Sequence, residues 1–585
     1  MKTMKYFLSM AALALVGAMT VSCSSDDNII EQPQQPETKN NVVTLTTTVG
    51  LGGSNGTRAL DASGHKTFAT GETMAVIYNN GTSTVKAVSH ALEASDITDD
   101  GKKATFTFDL ETPNKSADVT YIYPAAMAKA DGTVNYAALN SQDGTLSTLS
   151  SNLDYCTKSG PWDGGNLPTL TLENQLAILA VTLKNEAGTS EITGSITDLT
   201  LSDGTNTYNV TREAVAGPIY VAIRPTTSAT ITVTTTVGTK SYKKTLIGKT
   251  YAKGNGYPVS WTMAKVVDYS AEINVPAGEH WYISGVDEHN ITIGDDATVT
   301  IGGYLHMQNA SIICSGNATI ILADGTDVNI FDGRIKAGPE NTTLTIKGNT
   351  GELNIQAGNS LGAAIGASDG DACGNIVIEG GIITAKGAMA AGIGASDGAA
   401  CGNITISGGT VTATGSYGAG IGASTAACGN ITISGGTVTA TGSNGAGIGA
   451  SNAECGNITI SGGTVTATGD NNGGAGIGSG ASDNGWCGDI TISGGTVTAT
   501  GGFKSAGIGT GEDNGCGNIT IKSTVTSVTA TKGSGASASI GAAANDEDSP
   551  CGTVTIDGVA NATTSSTFTN FNSSVSGNTW TLTHK

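Results

Sequence analysis

Positive charge is what this chain has least of. Its 585 residues include 28 Lys and Arg against 49 Asp and Glu, a formal net charge of -21. Only Arg58, Arg212, Arg224 and Arg334 carry a guanidinium. Nucleic-acid binding draws its affinity from Lys and Arg neutralising phosphates, and binding to anionic lipid draws on the same charges, so the composition argues against both partners. After the N-terminal stretch no apolar run reaches the roughly 18 residues of a spanning helix, so membrane attachment is expected only through a lipid anchor. Charged residues are only 13% of the chain, and long amphipathic helices are not in evidence. What is abundant is Gly, 84 residues of it, with Thr, Val, Ile and Ala: short strands and tight turns. The expected class is all-β.

Lys2 and Lys5 precede the apolar run Phe7 to Met19, the pattern of a signal peptide over residues 1–22, with Cys23 where cleavage would fall. The stretch resembles a bacterial lipoprotein signal, although Thr20 stands where that pattern prefers Leu. The resemblance implies lipidation of Cys23; ordinary cleavage with Cys23 incidental is the other reading. Ser24-Ser25-Asp26-Asp27 resembles the acidic export tag of surface-exposed Bacteroidales lipoproteins, which implies an outer-membrane, cell-surface location. Residues 23–41 are polar and read as a lipidated, flexible tether.

From residue 42 to 266 there is no repeat but much period-2 alternation, as in Val43 to Val49, Thr105 to Leu110, Ile178 to Leu183 and Ile231 to Val237. The turn-rich stretch Asn152 to Leu167 divides the segment, predicting two β-sandwiches over 42–155 and 156–266. Thr57-Arg58-Ala59, Gly71-Glu72-Thr73-Met74-Ala75-Val76, Tyr121-Ile122-Tyr123-Pro124-Ala125, Leu172-Glu173-Asn174-Gln175-Leu176-Ala177-Ile178, Tyr220-Val221-Ala222-Ile223-Arg224-Pro225 and Lys249-Thr250-Tyr251-Ala252-Lys253-Gly254 follow in order. In these motifs the segment resembles the fimbrillin-type pilins of Bacteroidales. That resemblance implies tandem transthyretin-like sandwiches, an Arg-specific cut after Arg58, loss of the strand containing Val43 to Val49, and donor-strand insertion by a neighbouring fimbrial subunit. An uncut loop arginine is the alternative. A shaft pilin ends in its own donor strand, whereas more than half of this chain follows the sandwiches, so a place in a fimbria would be terminal, at the tip.

The rest of the chain is a repeat. Cys-Gly-Asn-Ile-Thr-Ile-Ser-Gly-Gly-Thr-Val-Thr-Ala-Thr-Gly recurs, followed by a few variable residues and Ala-Gly-Ile-Gly-Ala. Cys373, Cys401, Cys428, Cys455, Cys487, Cys516 and Cys551 mark the period, which lies in the range of solenoids. Each repeat offers three short strands, which predicts one turn of a three-sided parallel β-helix per coil of ~27 residues, with rungs about 4.8 Å apart. Irregular coils are expected over 267–371, regular repeats over 372–558 and a C-terminal cap over 559–585. Ile404, Ile406, Val411, Ala413 and Ile421 should face inward and Thr405, Thr410, Thr412 and Thr414 outward. Stacked cysteines read as buried thiols in preference to inter-rung disulfides, and stacked Asn side chains as an axial hydrogen-bond ladder.

Two features could recognise a ligand. The outward threonines, Thr412, Thr439 and Thr466 among them, form a regular array able to dock an ordered chain, or simply a wet β-face. The residues that interrupt the repeat gather at two corners: Tyr417, Phe503 and Lys504 before the Gly-Ile-Gly strand, and Trp486 before a Cys. Aromatics with polar neighbours suit sugars, by stacking and hydrogen bonding. The region also resembles the carbohydrate-binding β-helix domains of bacterial surface proteins through Asn317 to Gly325 and the Gly-Ile-Gly repeats, which implies an extracellular glycan as partner. Acidic corner residues are too irregular for a calcium ladder, a single file of cysteines cannot enclose a tetrahedral ion, and no cofactor motif occurs, so no metal or cofactor is expected. The rival is a β-helix polysaccharide lyase or hydrolase, for which Asp324, Asp327, Asp332 and Arg334 are the best cluster, in turn contexts where Asp is routine. The expected function is a lipid-anchored surface adhesin that is not an enzyme, as a fimbrial tip or a stand-alone glycan binder.

Overall fold

The computed structural model describes residues 42–51 and 67–585, apart from 154, 173, 359–361, 369, 470–472, 481–483 and 545–549. Cys23 and Arg58, the lipidation and processing positions expected from the sequence, lie outside the described residues.

Strict alternation builds the first sandwich. Along Lys103–Glu111 the side chains of Ala104, Phe106, Phe108 and Leu110 are buried while those between them reach solvent. Val42–Leu51 lies against this strand, antiparallel from Val42–Glu111 to Gly50–Lys103, and its far end pairs in parallel with Leu170–Leu172. A second sheet, ordered Thr84–Val88, Ala75–Asn79, Val119–Tyr123, Cys156–Gly160, packs on the other side of the same core. The division expected after residue 155 therefore moves: Cys156–Gly160 and Leu170–Leu172 both belong to the first sandwich. Polar Cys156-Thr157-Lys158-Ser159-Gly160 carries little apolar alternation, so it reads as a turn although its backbone completes a sheet edge.

The second sandwich sets Ala177–Lys184, between Ile219–Ile223 and Gly256–Thr262, against Asp198–Ser202, Thr207–Thr211, Thr226–Val237 and Lys240–Tyr251. Leu179, Val181, Leu183, Val221 and Val233 are fully buried between them. Lys240–Tyr251 then pairs with Ala264–Tyr269 at two positions, Tyr242–Lys265 and Lys243–Ala264, and Ala264–Tyr269 pairs in parallel with His280–Asp287. The sandwich sheet thus passes its hydrogen bonding directly to the solenoid, and the boundary expected between 266 and 267 falls inside the connecting strand. Glu186 ties the same junction. Its carbonyl accepts from the His280 N–H at 2.9 Å, and its buried carboxylate accepts from Lys240 Nζ at 2.7 Å and Tyr242 Oη at 2.9 Å. Burial pushes that carboxyl up, but these hydrogen bonds outweigh it and hold Glu186 below the ordinary glutamate range.

Each repeat is one coil. Ile404 pairs in parallel with Ile431, Ile431 with Ile458 and Ile458 with Ile490, so every backbone step up the stack is one repeat long. Three faces result, represented in one coil by Ile404–Ile406, Thr410–Gly415 and Ile421–Gly422. Ile404, Ile406, Val411, Ala413 and Ile421 are fully buried or nearly so, and the threonines between them face out. The third face is only two residues wide because its glycines let rungs approach closely: Gly422 has φ of +134°, and a Cβ there would lie 2.1 Å from the Gly449 carbonyl oxygen. The repeat cysteines run as a file of parallel bridges from Cys373 to Cys551 and form no disulfide. Hydrogen bonding with the Cys373 and Cys428 thiols, then burial, pushes the Cys401 thiol well up. At the far end a hairpin, Phe571–Ser576 with Thr579–His584, lies antiparallel on Ser527–Thr531 and buries Phe571, Trp580 and Leu582.

Candidate functional site

The variable corners flank the third face. Tyr417 sits in the loop between Gly415 and Gly420 and is 54% exposed; Phe503, the equivalent interruption higher in the stack, is 46% exposed beside exposed Lys504. Trp486 belongs to the other corner, just before Cys487, and is 43% exposed with its ring against Gly515 of the next coil. This exposure sets them apart from the interior Ile and Val files, which are fully buried.

The two corners meet. Lys504 Nζ pairs with Glu512 Oε1 at 2.5 Å across the short Ile508–Gly509 strand. The Glu512 N–H donates to the Gly473 carbonyl of the coil below at 3.1 Å. Ser451 Oγ, from the later corner, donates to the carbonyls of Asn444 at 3.1 Å and Tyr417 at 3.4 Å, both in the earlier corner. Ser424, Ser451, Ser479 and Ser505 are fully buried where the loops close over the third face. Tyr417, Phe503 and Lys504 therefore lie along one edge of the third face, Tyr417 and Phe503 three rungs, or about 14 Å, apart, and Trp486 lies along its other edge.

The threonine set lies elsewhere. Thr412, Thr439 and Thr466 are consecutive register partners on the second face, flanked by the columns Thr410–Thr437–Thr464 and Thr414–Thr441–Thr468. The array is as regular as the sequence implies, but the structure does not bring it together with the aromatic corners.

The asparagine ladder works differently from stacked amides. Asn375 Oδ1 accepts from the Asn403 backbone N–H at 2.9 Å, Asn403 from Asn430 at 2.9 Å, Asn430 from Asn457 at 2.8 Å, and Asn457 from Asp489 at 2.8 Å. Each side-chain carbonyl thus satisfies an N–H of the next coil, so only an acceptor is needed, and Asp489 serves the next step with Asn518 at 2.7 Å. A Cβ on the neighbouring Gly429 would lie 2.8 Å from Asn403 Oδ1, which is why Gly precedes each Asn.

Two carboxylates of the Asp324, Asp327, Asp332 and Arg334 cluster stand apart. Asp327 begins and Asp332 follows the strand Asp327–Phe331, which puts them roughly 16 Å apart. Asp327 accepts from Asn329 Nδ2 at 2.8 Å, Asp332 from Gln308 Nε2 at 2.8 Å, and Asp324 from the Thr350 N–H at 3.1 Å. Among the described residues no group of three or more His, Cys, Asp or Glu could hold a metal ion, and no helix is long and apolar enough to cross a membrane.

The regular coils match the family described as the beta helix repeat over residues 376–397, 404–425, 431–452, 458–481 and 490–512. No curated protein matches the chain. Among solved structures, the N-terminal part is similar to a fimbrial assembly protein from Parabacteroides distasonis, at 10% identity over 37% of this chain and 91% of that one, with a TM-score of 0.23. It is also similar to a candidate cell adhesion protein from Bacteroides ovatus, at 10% identity over 38% and 94% with a TM-score of 0.24. A third, a candidate cell adhesion protein from Bacteroides uniformis, shares 15% identity over 37% and 93% with a TM-score of 0.22.

Proposed function

We propose that this protein is a cell-surface adhesin, anchored through a lipid on Cys23, whose pilin-like sandwiches hold out a β-helix that binds glycan along its aromatic corners. The observation that supports this reading is the exposure of Tyr417, Trp486, Phe503 and Lys504 at the two variable corners, which the Lys504–Glu512 pair links across the third face. Rings spaced by whole rungs on a rigid stack offer repeated stacking platforms, and the polar corner residues supply hydrogen bonds. The test is a glycan array probed with the full chain, comparing wild type with the triple variant Tyr417→Ala, Trp486→Ala, Phe503→Ala and with Thr412→Val, Thr439→Val, Thr466→Val. Loss of binding in the aromatic triple with retention in the valine triple is the expected result. Full binding by the aromatic triple rules out the corners, and loss in the valine triple alone moves the site to the second face.

A fimbrial place is favoured by the position of Val42–Leu51. It is an internal strand, bounded by Lys103–Glu111 on one side and Leu170–Leu172 on the other, so cutting after Arg58 and withdrawing it would leave two sheet edges lining a groove that another subunit's strand could fill. Leu45 and Val49 mark the inward positions such a strand would have to supply. Treatment with an Arg-specific protease should yield a chain beginning at Ala59 that takes up a synthetic Val42–Leu51 peptide; a cut chain that leaves the peptide in solution counts against subunit exchange.

A further inference from the structure

The junction between the second sandwich and the solenoid contains a cleft that the sequence motifs do not announce. Lys240–Tyr251 is twelve residues long but pairs with Ala264–Tyr269 only through Tyr242 and Lys243. Beyond Lys243 its edge is released from that partner and overhangs the outer side of the first coils. The outward file beneath it is Tyr282, Thr300, Ile321 and Lys347, successive register partners. In the regular coils the neighbouring outward file is threonine; here an isoleucine faces out, and Ile247 on the overhanging strand is 61% exposed opposite it. The space between them is about 400 Å³, within the usual range of small-molecule sites, and its surface is mainly apolar, from Ile247, Ala264, Ile321, Leu322 and Ala323.

Its charges are unusual for so acidic a chain. Lys347 is paired with Glu379 at 2.9 Å and Asp324, the other carboxylate of the lining, accepts from Thr350 at 3.1 Å, while Lys243 and Lys244 have no carboxylate ion pair among the described residues. Lys243 Nζ lies 4.0 Å from the Tyr282 ring centroid and donates to Tyr282 Oη at 2.9 Å, which fixes the ammonium at the mouth. Lys244 is half-buried, and burial, with Lys249 nearby, lowers its pKa: it has given up water without gaining an anion. His280, also lining the cleft, is pushed down to about 4 by burial and by Lys244, so at neutral pH it adds no charge and bonds Thr300 Oγ1 at 2.8 Å.

We propose that this cleft binds the carboxylate of an amphipathic small molecule, with the anionic head at Lys243 and Lys244 and the apolar body against Ile247 and Ile321. The site is separate from the aromatic corners and stands whether or not they bind glycan. An incoming carboxylate supplies the counter-charge the two lysines lack, and the apolar walls gain from covering their exposed surface.

The experiment is isothermal titration of the full chain with decanoate below its micellar concentration, with decanol and glucuronate as controls. Saturable binding of decanoate is expected, with at least tenfold weaker binding of decanol, which lacks the charge, and of glucuronate, which lacks the apolar body. The double variant Lys243→Gln, Lys244→Gln should weaken decanoate at least tenfold, and so should Ile321→Asp, which places a negative charge on the floor; circular dichroism checks that both fold. No saturable binding of decanoate, undiminished binding by either variant, or equal affinity for either control would overturn the proposal.

Discussion

At the scale of single residues, the acceptor-only ladder makes a prediction that stacked amides would not. Asn430→Asp keeps the oxygen that the Asn457 N–H needs, so its stability should stay within about 0.5 kcal/mol of wild type, whereas Asn430→Ala removes it and should cost about 1 kcal/mol in urea denaturation. Asn457→Asp is the informative contrast: it sets a second carboxylate one rung, about 4.8 Å, from Asp489, where like charges in water repel by about 1 kcal/mol. That difference should shrink in high salt. His280 carries the second residue-level prediction. Its pKa falls from 6.5 to about 4 on folding, through burial first and Lys244 second. The unfolded chain therefore takes up a proton that the folded chain refuses as pH drops through this window. Its contribution is complete above pH 6.5 and is lost towards pH 4, a destabilisation of about 3 kcal/mol. Unfolding midpoints from pH 7 to 4.5 should fall more steeply for wild type than for His280→Gln, which can still bond Thr300; parallel curves would assign the pH response to other groups.

At the scale of elements, the Ile-Gly strand is where the repeat tolerates least. Gly422 combines a φ of +134° with a carbonyl of the next coil 2.1 Å from any added Cβ, so Gly422→Ala must both strain the backbone and push adjacent rungs away from each other. It should cost about 2–4 kcal/mol, measured against Gly398→Ala, where φ is also positive but nothing lies within 4 Å of the added carbon. The coils were the most readable region of the molecule because each letter meets the same neighbours every repeat: inward Ile404, Ile406, Val411 and Ala413 and outward Thr412 follow from alternation alone. Within the irregular coils expected over 267–371, the strands Ile291–Ile293, Ala318–Leu322 and Glu352–Gln356 keep the alternation of buried and outward residues without the repeat. The site was less readable. Repetition isolates Tyr417, Trp486 and Phe503 as interruptions but assigns them to two corners, and only the two-residue width of Ile508–Gly509 brings those corners within reach of a Lys504–Glu512 pair. Lys243 and Lys244 gave no signal, because their surroundings come from Ile321 and Lys347, far along the chain and of no distinctive pattern. The sandwich division was misplaced by Cys156–Gly160, a strand whose identity rests on pairing with Val119–Tyr123 and hardly on its own residues.

At the scale of the whole molecule, a solenoid has two ends to manage, since each exposes a row of unpaired backbone groups ready to template another chain. One end is closed by inheritance: Ala264–Tyr269 takes antiparallel bonds from the second sandwich and passes parallel bonds to His280–Asp287, so the first coil grows on an existing sheet. The other end is closed by reversal. Thr579–His584 runs antiparallel across Ser527–Thr531, ending the parallel stack on the second face, and the hairpin drops Trp580, Leu582 and Phe571 over the last interior residues. Its outer strand, Phe571–Ser576, is polar at Asn572, Ser573, Ser574 and Ser576, which makes a poor template for further stacking. Removing residues 571–585 should therefore leave the sandwiches folded but expose Val528 and Ala530 together with a bare strand edge that matches its own interior rungs. Light scattering coupled to size exclusion should find the full chain in one species and the truncated chain in concentration-dependent oligomers. Trp580→Ser, which removes the buried anchor and keeps the hairpin's backbone, should fall between them, and a truncated chain that stays monomeric would mean that the hairpin Val554–Ile556 with Val559–Ala560, on the first face, closes the end by itself.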